Sequence, residues 1–422
     1  MHLLAVHECR SQPKVVAVPV SDLLPEEAIT LNQPTDASQQ QMSESQIVDR
    51  YVRGEVRIVT DQARTQLAEL PLVLASGRYK LQPEYQRRHR WNVAKKSRLI
   101  ESFIMNVPVP PIFVYEYEYS KYEVMDGLQR LTALWDFYQD KFDLVELEFW
   151  PELNGRRYST LPLQLRQAID RRHISSIVLL YETANDSAVA QHLKELVFER
   201  INSGGVSLSA QESRNALSSG PLNAGLPRLA RTPEFCRAWG IPEPIEGVDD
   251  LDRDEVLSDP RVQSMDDVEM VLRFFAHRQR GLEGAPRRLK AFLDQYWSAA
   301  NEQLSAGTIE AIGRVFTATI RLVFAVLDER AFYIRRERGG SRGWVPRPTL
   351  LAYDSVMSAF SQRLDGAATL IDRKQMVLDR LEHLYDEHAA DFDGRKTDPK
   401  DFLRRDELIL SLLDDVIATS AK

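Results

Sequence analysis

Beyond residue 220 the apolar positions recur at the spacing of a helical face. Leu289, Phe292, Leu293, Tyr296 and Trp297 stand at i, i+3, i+4, i+7 and i+8, and Ile309, Ile312, Phe316, Ile320, Val323, Phe324 and Leu327 carry the same stripe over several turns. Further stripes fall at Val356, Met357 and Phe360, at Val377, Leu378, Leu381, Leu384 and Tyr385, and at Leu408, Leu412, Leu413 and Val416. Such stripes are faces for burial. With no repeat of fixed length among them, they predict an irregular helical domain over residues 221–422.

Residues 44–220 read differently, with short strands alternating with helices. The leucines at 67, 70 and 74 predict a helix over 62–75, interrupted at Pro71. A second helix is predicted over 93–105, carried by Leu99, Ile100, Phe103 and Ile104 and ended by a Pro-rich stretch, with a strand following at 112–117. Residues 122–125 pair with that strand across the turn Tyr119-Ser120-Lys121. Leu131, Leu134, Trp135 and Tyr138 then mark the buried side of another helix. Strands are expected at 142–149 and 174–181, separated by a helix over 161–172. The run from Phe198 reads as a helix that breaks at Gly204-Gly205, with a new helix from Ser209. This mixture predicts a compact α+β domain. Residues 1–43 read as a lead segment, with an edge strand at 15–20 and a Gln-, Ser- and Pro-rich linker after residue 31.

At 422 residues the chain is long enough for two or three cores, and its 43% hydrophobic and 27% charged content is that of a globular protein. The sequence has no apolar run near the roughly 20 residues of a membrane span, and the first residues lack the pattern of a secretion signal, so a cytoplasmic location without membrane partners is expected. Cys9 and Cys236 are the only cysteines, too few for a disulfide framework. His2, His7 and Cys9 lack a fourth partner and are discounted as a metal site.

A net charge of −8 argues against indiscriminate coating of nucleic acid, but the charge is uneven. Between Arg78 and Arg98 eight lysines and arginines face a single acid, Glu84, with Tyr79, Tyr85 and Trp91 interleaved. Such a tract can follow a phosphate backbone while its aromatics stack on bases. It can equally be a solvated face. A second cluster, Arg335, Arg336, Arg338, Arg342 and Arg347 around Gly339-Gly340, reads as a loop, or as arginines answering acidic neighbours.

The chemistry is expected where the strand 122–125 turns through Asp126-Gly127 into a helix beginning Leu128-Gln129-Arg130. A glycine turn feeding a helix start leaves backbone N–H groups at the positive end of the helix dipole, suited to an anion. Arg130 adds a forked set of donors for phosphate oxygens, and Asp126 can cap the helix, hold a cation or polarise water. The plainer alternative is a capped turn with a solvated arginine.

The blocks Tyr85-Gln86-Arg87-Arg88-His89-Arg90-Trp91, Val107-Pro108-Val109-Pro110-Pro111, Met125-Asp126-Gly127-Leu128-Gln129-Arg130 and Phe198-Glu199-Arg200-Ile201-Asn202-Ser203-Gly204-Gly205, in this order and spacing, resemble the family with a DGQQR signature that forms the nucleotide-hydrolysing half of GmrSD-type restriction systems. That family is similar in fold to the ParB and sulfiredoxin amino-terminal domain. The resemblance covers about residues 47–217, and one position departs from it: Leu128 stands where the first glutamine is usual, which weakens hydrolysis if that glutamine contacts nucleotide or water.

The resemblance implies a nucleoside triphosphate with Mg²⁺ over the turn, with Asp126, Gln129 and Arg130 as catalytic candidates and Asp126 on the metal. Gly127, Arg130, Arg87, Arg90, Asn202, Gly204 and Gly205 would surround the ligand, and Arg88, Lys95 and Lys96 would meet DNA. Family members with a fused nuclease are expected to carry a His-Asn-His domain afterwards. Here His277, His383 and His388 are the only histidines beyond residue 192. The expected protein is therefore an NTPase-type sensor in a DNA-targeting defence system, acting with a separate nuclease or defence protein. Two other classes stay open: a non-catalytic DNA- or partner-binding module with a degenerate nucleotide site, and a metal-dependent nickase using Asp126 and Glu123.

Overall fold

Alternation within Ile112–Glu118 (β3) sends Ile112 and Val114 into one core and Phe113 and Tyr115 toward another, so this strand is covered on both faces. It is central to a five-stranded mixed sheet of order β1-β5-β3-β4-β2, formed by Thr60–Gln66 (β1), Tyr79–Lys80 (β2), Lys121–Asp126 (β4) and His173–Leu179 (β5). β3 runs antiparallel to β4 and parallel to β5, β2 runs parallel to β4, and β1 runs antiparallel to β5. The computed structural model describes residues 23–31, 43–45, 48–49, 59–80, 91–180, 196–198, 200–201, 209–217, 220–250, 253–281, 285–338, 340–395 and 398–419. The chain divides into two compact units, residues 35–219 with 245–266, and residues 1–34 with 220–244 and 267–422.

In the sheet unit, helix α1 spans Leu70–Ala75, α2 Val93–Met105 and α3 Leu128–Tyr138. Asn92 caps α2 by accepting the Lys95 N–H at 2.9 Å, and Asn106, left-handed at φ 61°, ends it. Leu99, Ile100 and Phe103 of α2 pack with Leu131, Leu134 and Phe137 of α3 and with Ile112 and Val114 of the sheet in one core. At about 25 cal/mol per Å² of apolar surface, each fully buried leucine or phenylalanine here contributes about 1.5–3 kcal/mol.

Two expectations in this unit are corrected. Residues 62–66, expected to begin a helix, belong to the mostly exposed edge strand β1, and only 70–75 are helical. A polar edge strand is held by backbone pairing to β5 and carries no apolar period for sequence reading to detect. Residues 142–149 form no strand. Three backbone donors here and at Trp150 go to side chains of α2, the Val145 N–H to Ser97 Oγ at 3.0 Å and those of Phe149 and Trp150 to the buried Glu101 carboxylate at 2.8 and 3.0 Å, while the Leu144 N–H meets the Arg156 carbonyl and the Leu147 N–H meets Asn154 Oδ1. Phe142, Leu144 and Leu147 are buried nonetheless, which is why the stretch looks strand-like.

The second unit is helical around Asp266–His277 (α4), Leu289–Gln303 (α5), Ala306–Leu327 (α6), Leu350–Ser361 (α7), Lys374–Glu387 (α8) and Pro399–Ala418 (α9). α5 to α9 follow the expected stripes. α4 was not among the expected helices: Asp266, Glu269, Arg273 and His277 give it a polar side at helical spacing, but in the fold Arg273 and His277 are buried together with its apolar face. Residues 335–344, read as a loop, are an antiparallel hairpin. Its arginines answer acidic neighbours: Arg335 bridges Glu382 and Asp386, and Arg342 approaches Asp386 as well.

Part of the amino-terminal lead also belongs to this unit. Glu27, fully buried, accepts from Arg278 Nε and Nη2 at 2.6 and 2.9 Å, and the Ile29 N–H donates to Gln279 Oε1 at 2.9 Å.

Candidate functional site

Gly127 is the N-cap of α3 and adopts φ 93°, a left-handed conformation that glycine takes without strain. It is also a close-approach position. A Cβ built there would lie 2.5 Å from Ile112 Cγ2 and 3.1 Å from Arg130 Nη2. Having no side chain, it leaves the helix start without side-chain capping. The first-turn amides thus lie at the positive end of the dipole, the property expected from the sequence.

Arg130 lies one turn into α3 and folds back over that start. Its Nη2 donates to Asp126 Oδ2 at 2.6 Å, while Nη1 donates to the carbonyls of Pro110 and Pro111 at 2.6 and 3.2 Å. The guanidinium is 11% exposed and the Asp126 side chain 40%. One side chain therefore ties three pieces of the domain: the end of β4, the start of α3 and the Pro-rich approach to β3. Sequence reading took Asp126 and Arg130 as separate groups. The signal that joins them is their four-residue spacing across a turn into a helix.

Gln129 Oε1 accepts the Trp91 N–H at 3.1 Å. Trp91, half-buried against the core and lying within the basic tract, is thereby tied beside the helix start. Leu128 is half-buried and packs against the same core, so the position that departs from the signature is used for burial.

The remaining candidates separate clearly. Lys95 is exposed on α2, whereas Lys96 donates to Asp136 Oδ2 at 2.8 Å with both side chains only 14% exposed. Tyr79 stacks on Tyr122 at 5.3 Å between ring centroids, and the Lys80 ammonium lies 3.7 Å from the Tyr117 ring centre. Arg87, Arg88, Arg90, Glu199, Asn202, Gly204 and Gly205 lie outside the described residues. Among the described residues no group of three His, Cys, Asp or Glu side chains is placed to hold a metal.

Against this geometry, the family model described as "GmrSD restriction endonuclease, N-terminal domain" matches residues 72–219. Over these residues the chain is similar to a GmrSD-type amino-terminal domain. The GmrSD match contains the turn at Asp126, the arginine clamp, the Pro-rich approach and all of the sheet except β1. The helical region from residue 220 lies outside it. No curated protein and no solved structure matches the chain. Among the described residues no helix is long and apolar enough to cross a membrane.

Proposed function

We propose that the GmrSD-type domain binds a nucleoside triphosphate at the start of α3 and serves as an NTP-dependent component of a restriction or defence system directed at DNA. The observation that carries this reading is the glycine start of α3, uncapped by a side chain and flanked by Arg130 and by Trp91 of the basic tract. The residues suit the ligand in kind: helix-start amides and a guanidinium for phosphate, and a partly exposed carboxylate for Mg²⁺. When bound, the nucleotide supplies a phosphoanhydride bond for hydrolysis. Arg130 can serve a phosphate by giving up one present partner, and the one at the solvent edge is Asp126. Gln129 holds Trp91 beside the helix start. Lys95 and Arg98, both exposed on α2, extend that tract as a surface for DNA phosphate, while Lys96 is engaged by Asp136.

Isothermal titration of the four nucleoside triphosphates with Mg²⁺, beside Arg130→Lys and Asp126→Asn, tests the reading. Lysine keeps the charge but loses the fork, so affinity should fall about tenfold, or 1.4 kcal/mol. Asp126→Asn should lose the Mg²⁺ dependence. Thermal melts confirm that each variant is folded, a needed control because Arg130 also holds Pro110 and Pro111. Folded wild type that binds none of the four at millimolar concentration, or Arg130→Lys with unchanged affinity, overturns the proposal.

A further inference from the structure

The helical unit contains a cavity of about 440 Å³ within the range that holds organic ligands. Its lining is strongly basic. Arg273, Arg280, Arg287, Arg288 and Arg405 surround it with His277, against only two carboxylates, Asp354 and Asp398. Asp354 is already committed, since Arg273 Nε donates to its Oδ1 at 2.9 Å and Arg273 Nη2 to its Oδ2. Asp398 stands at the N-cap of α9.

Two buried side chains there keep unspent hydrogen-bonding capacity. His277 is 4% exposed and stacks face to face on Phe402 at 4.0 Å. Among the described residues neither of its ring nitrogens has a hydrogen-bond partner, Nε2 lying 3.6 Å from Asp354 Oδ1. Arg280 is 4% exposed, and its guanidinium lies 4.2 Å above the Phe292 ring. Its Nη2 donates to the Arg287 carbonyl at 2.9 Å, but Nη1 has no partner among the described residues. Leaving a buried donor unpaired is costly, and more so for a charged group. Burial, with the charge of Arg273, pushes the Arg280 guanidinium down to about 10, and burial likewise holds the His277 imidazole below its usual range. Stability alone does not call for this surplus of cations.

We propose that this cavity binds a phosphate-bearing small molecule of nucleotide size, gripped by Arg280, Arg287 and Arg288 with His277 donating from the side. Guanidinium forks match phosphate oxygens in pairs, and the aromatic rings of Phe402 and Phe292 hold the donors in place. The site lies in the unit outside the GmrSD match and is independent of the reading of α3.

The test uses the full chain with pyrophosphate and with ADP, read by titration calorimetry and by the His277 imidazole signal in NMR. Arg287→Ala with Arg288→Ala changes two exposed positions and should leave the fold intact, while Arg280→Gln removes the buried charge. Wild type should bind, and the imidazole should titrate at higher pH with ligand present. The double variant should lose at least about tenfold in affinity and with it the ligand-induced imidazole shift. ADP binding tighter than pyrophosphate identifies a nucleotide-sized ligand, and equal binding identifies phosphate recognition alone. No binding of either at millimolar concentration, or an unchanged affinity in the folded double variant, overturns the proposal, including where Arg280→Gln fails to fold.

Discussion

A single hydrogen-for-methyl exchange at Gly127 isolates what this turn demands. Gly127→Ala places a side chain in a left-handed conformation, costing about 1–2 kcal/mol, and presses its Cβ against Ile112 Cγ2 at 2.5 Å, where overpacking costs about 1–3 kcal/mol more. The two contributions can be separated. In a denaturation cycle with Ile112→Ala, which removes that methyl but keeps the Cβ 3.0 Å away, the steric part should shrink and the backbone part remain, giving a coupling of at least about 0.5 kcal/mol. Strict additivity would show that the packing at Ile112 gives way freely. Asp126, Gly127, Gln129 and Arg130 were all legible as residues that matter at this turn. Their partners were not, because Pro110, Pro111 and Ile112 come within reach only when β3 is laid beside β4.

Among the elements, α2 does two jobs that its apolar stripe reveals only in part. Leu99, Ile100 and Phe103 gave its position in the sequence, but Ser97 and Glu101, on the same helix, replace a neighbouring strand for the loop 145–150. Glu101→Ala should orphan the Phe149 and Trp150 amides and cost about 2–4 kcal/mol in chemical denaturation, whereas Glu101→Gln, which keeps an acceptor, should cost about 1–2. Equal losses would mean that the charge alone matters. This loop also shows why the strand expectation failed there. Period and composition report burial, and Leu144 and Leu147 are buried, yet whether a backbone donor meets a strand or a side chain depends on a partner some 48 residues away. The same limit hid α4. Its Arg273 and His277 stand four residues apart, a spacing visible in the sequence, but the carboxylate they share is Asp354 on α7.

For the molecule as a whole, the alternation of the first part and the helical stripes of the second fixed the α+β and helical character in advance. What remained hidden was the interleaving, with residues 245–266 returning to the sheet unit and residues 23–31 packing into the helical one. Stability against pH should report the helical unit through Asp406. Burial, aided by the charge of Asp354, raises its pKa well above the ordinary carboxylate value, although the Ser358 hydroxyl donates to it at 2.6 Å. A folded-state value above the unfolded one means a contribution fully present below about pH 4 and lost as pH rises through the folded value. Asp406→Asn should therefore melt increasingly above wild type between pH 4.5 and pH 8, and a difference that stays constant across that range would refute the assignment. The pairing of Glu27 with Arg278 and of Ile29 with Gln279 has a consequence for synthesis. These partners are about 250 residues apart. At roughly 5–20 residues per second, a ribosome takes about 12–50 s to deliver the second after the first. Through that interval the carboxylate of Glu27 waits in water, so this segment can be buried only after some 250 further residues have been made.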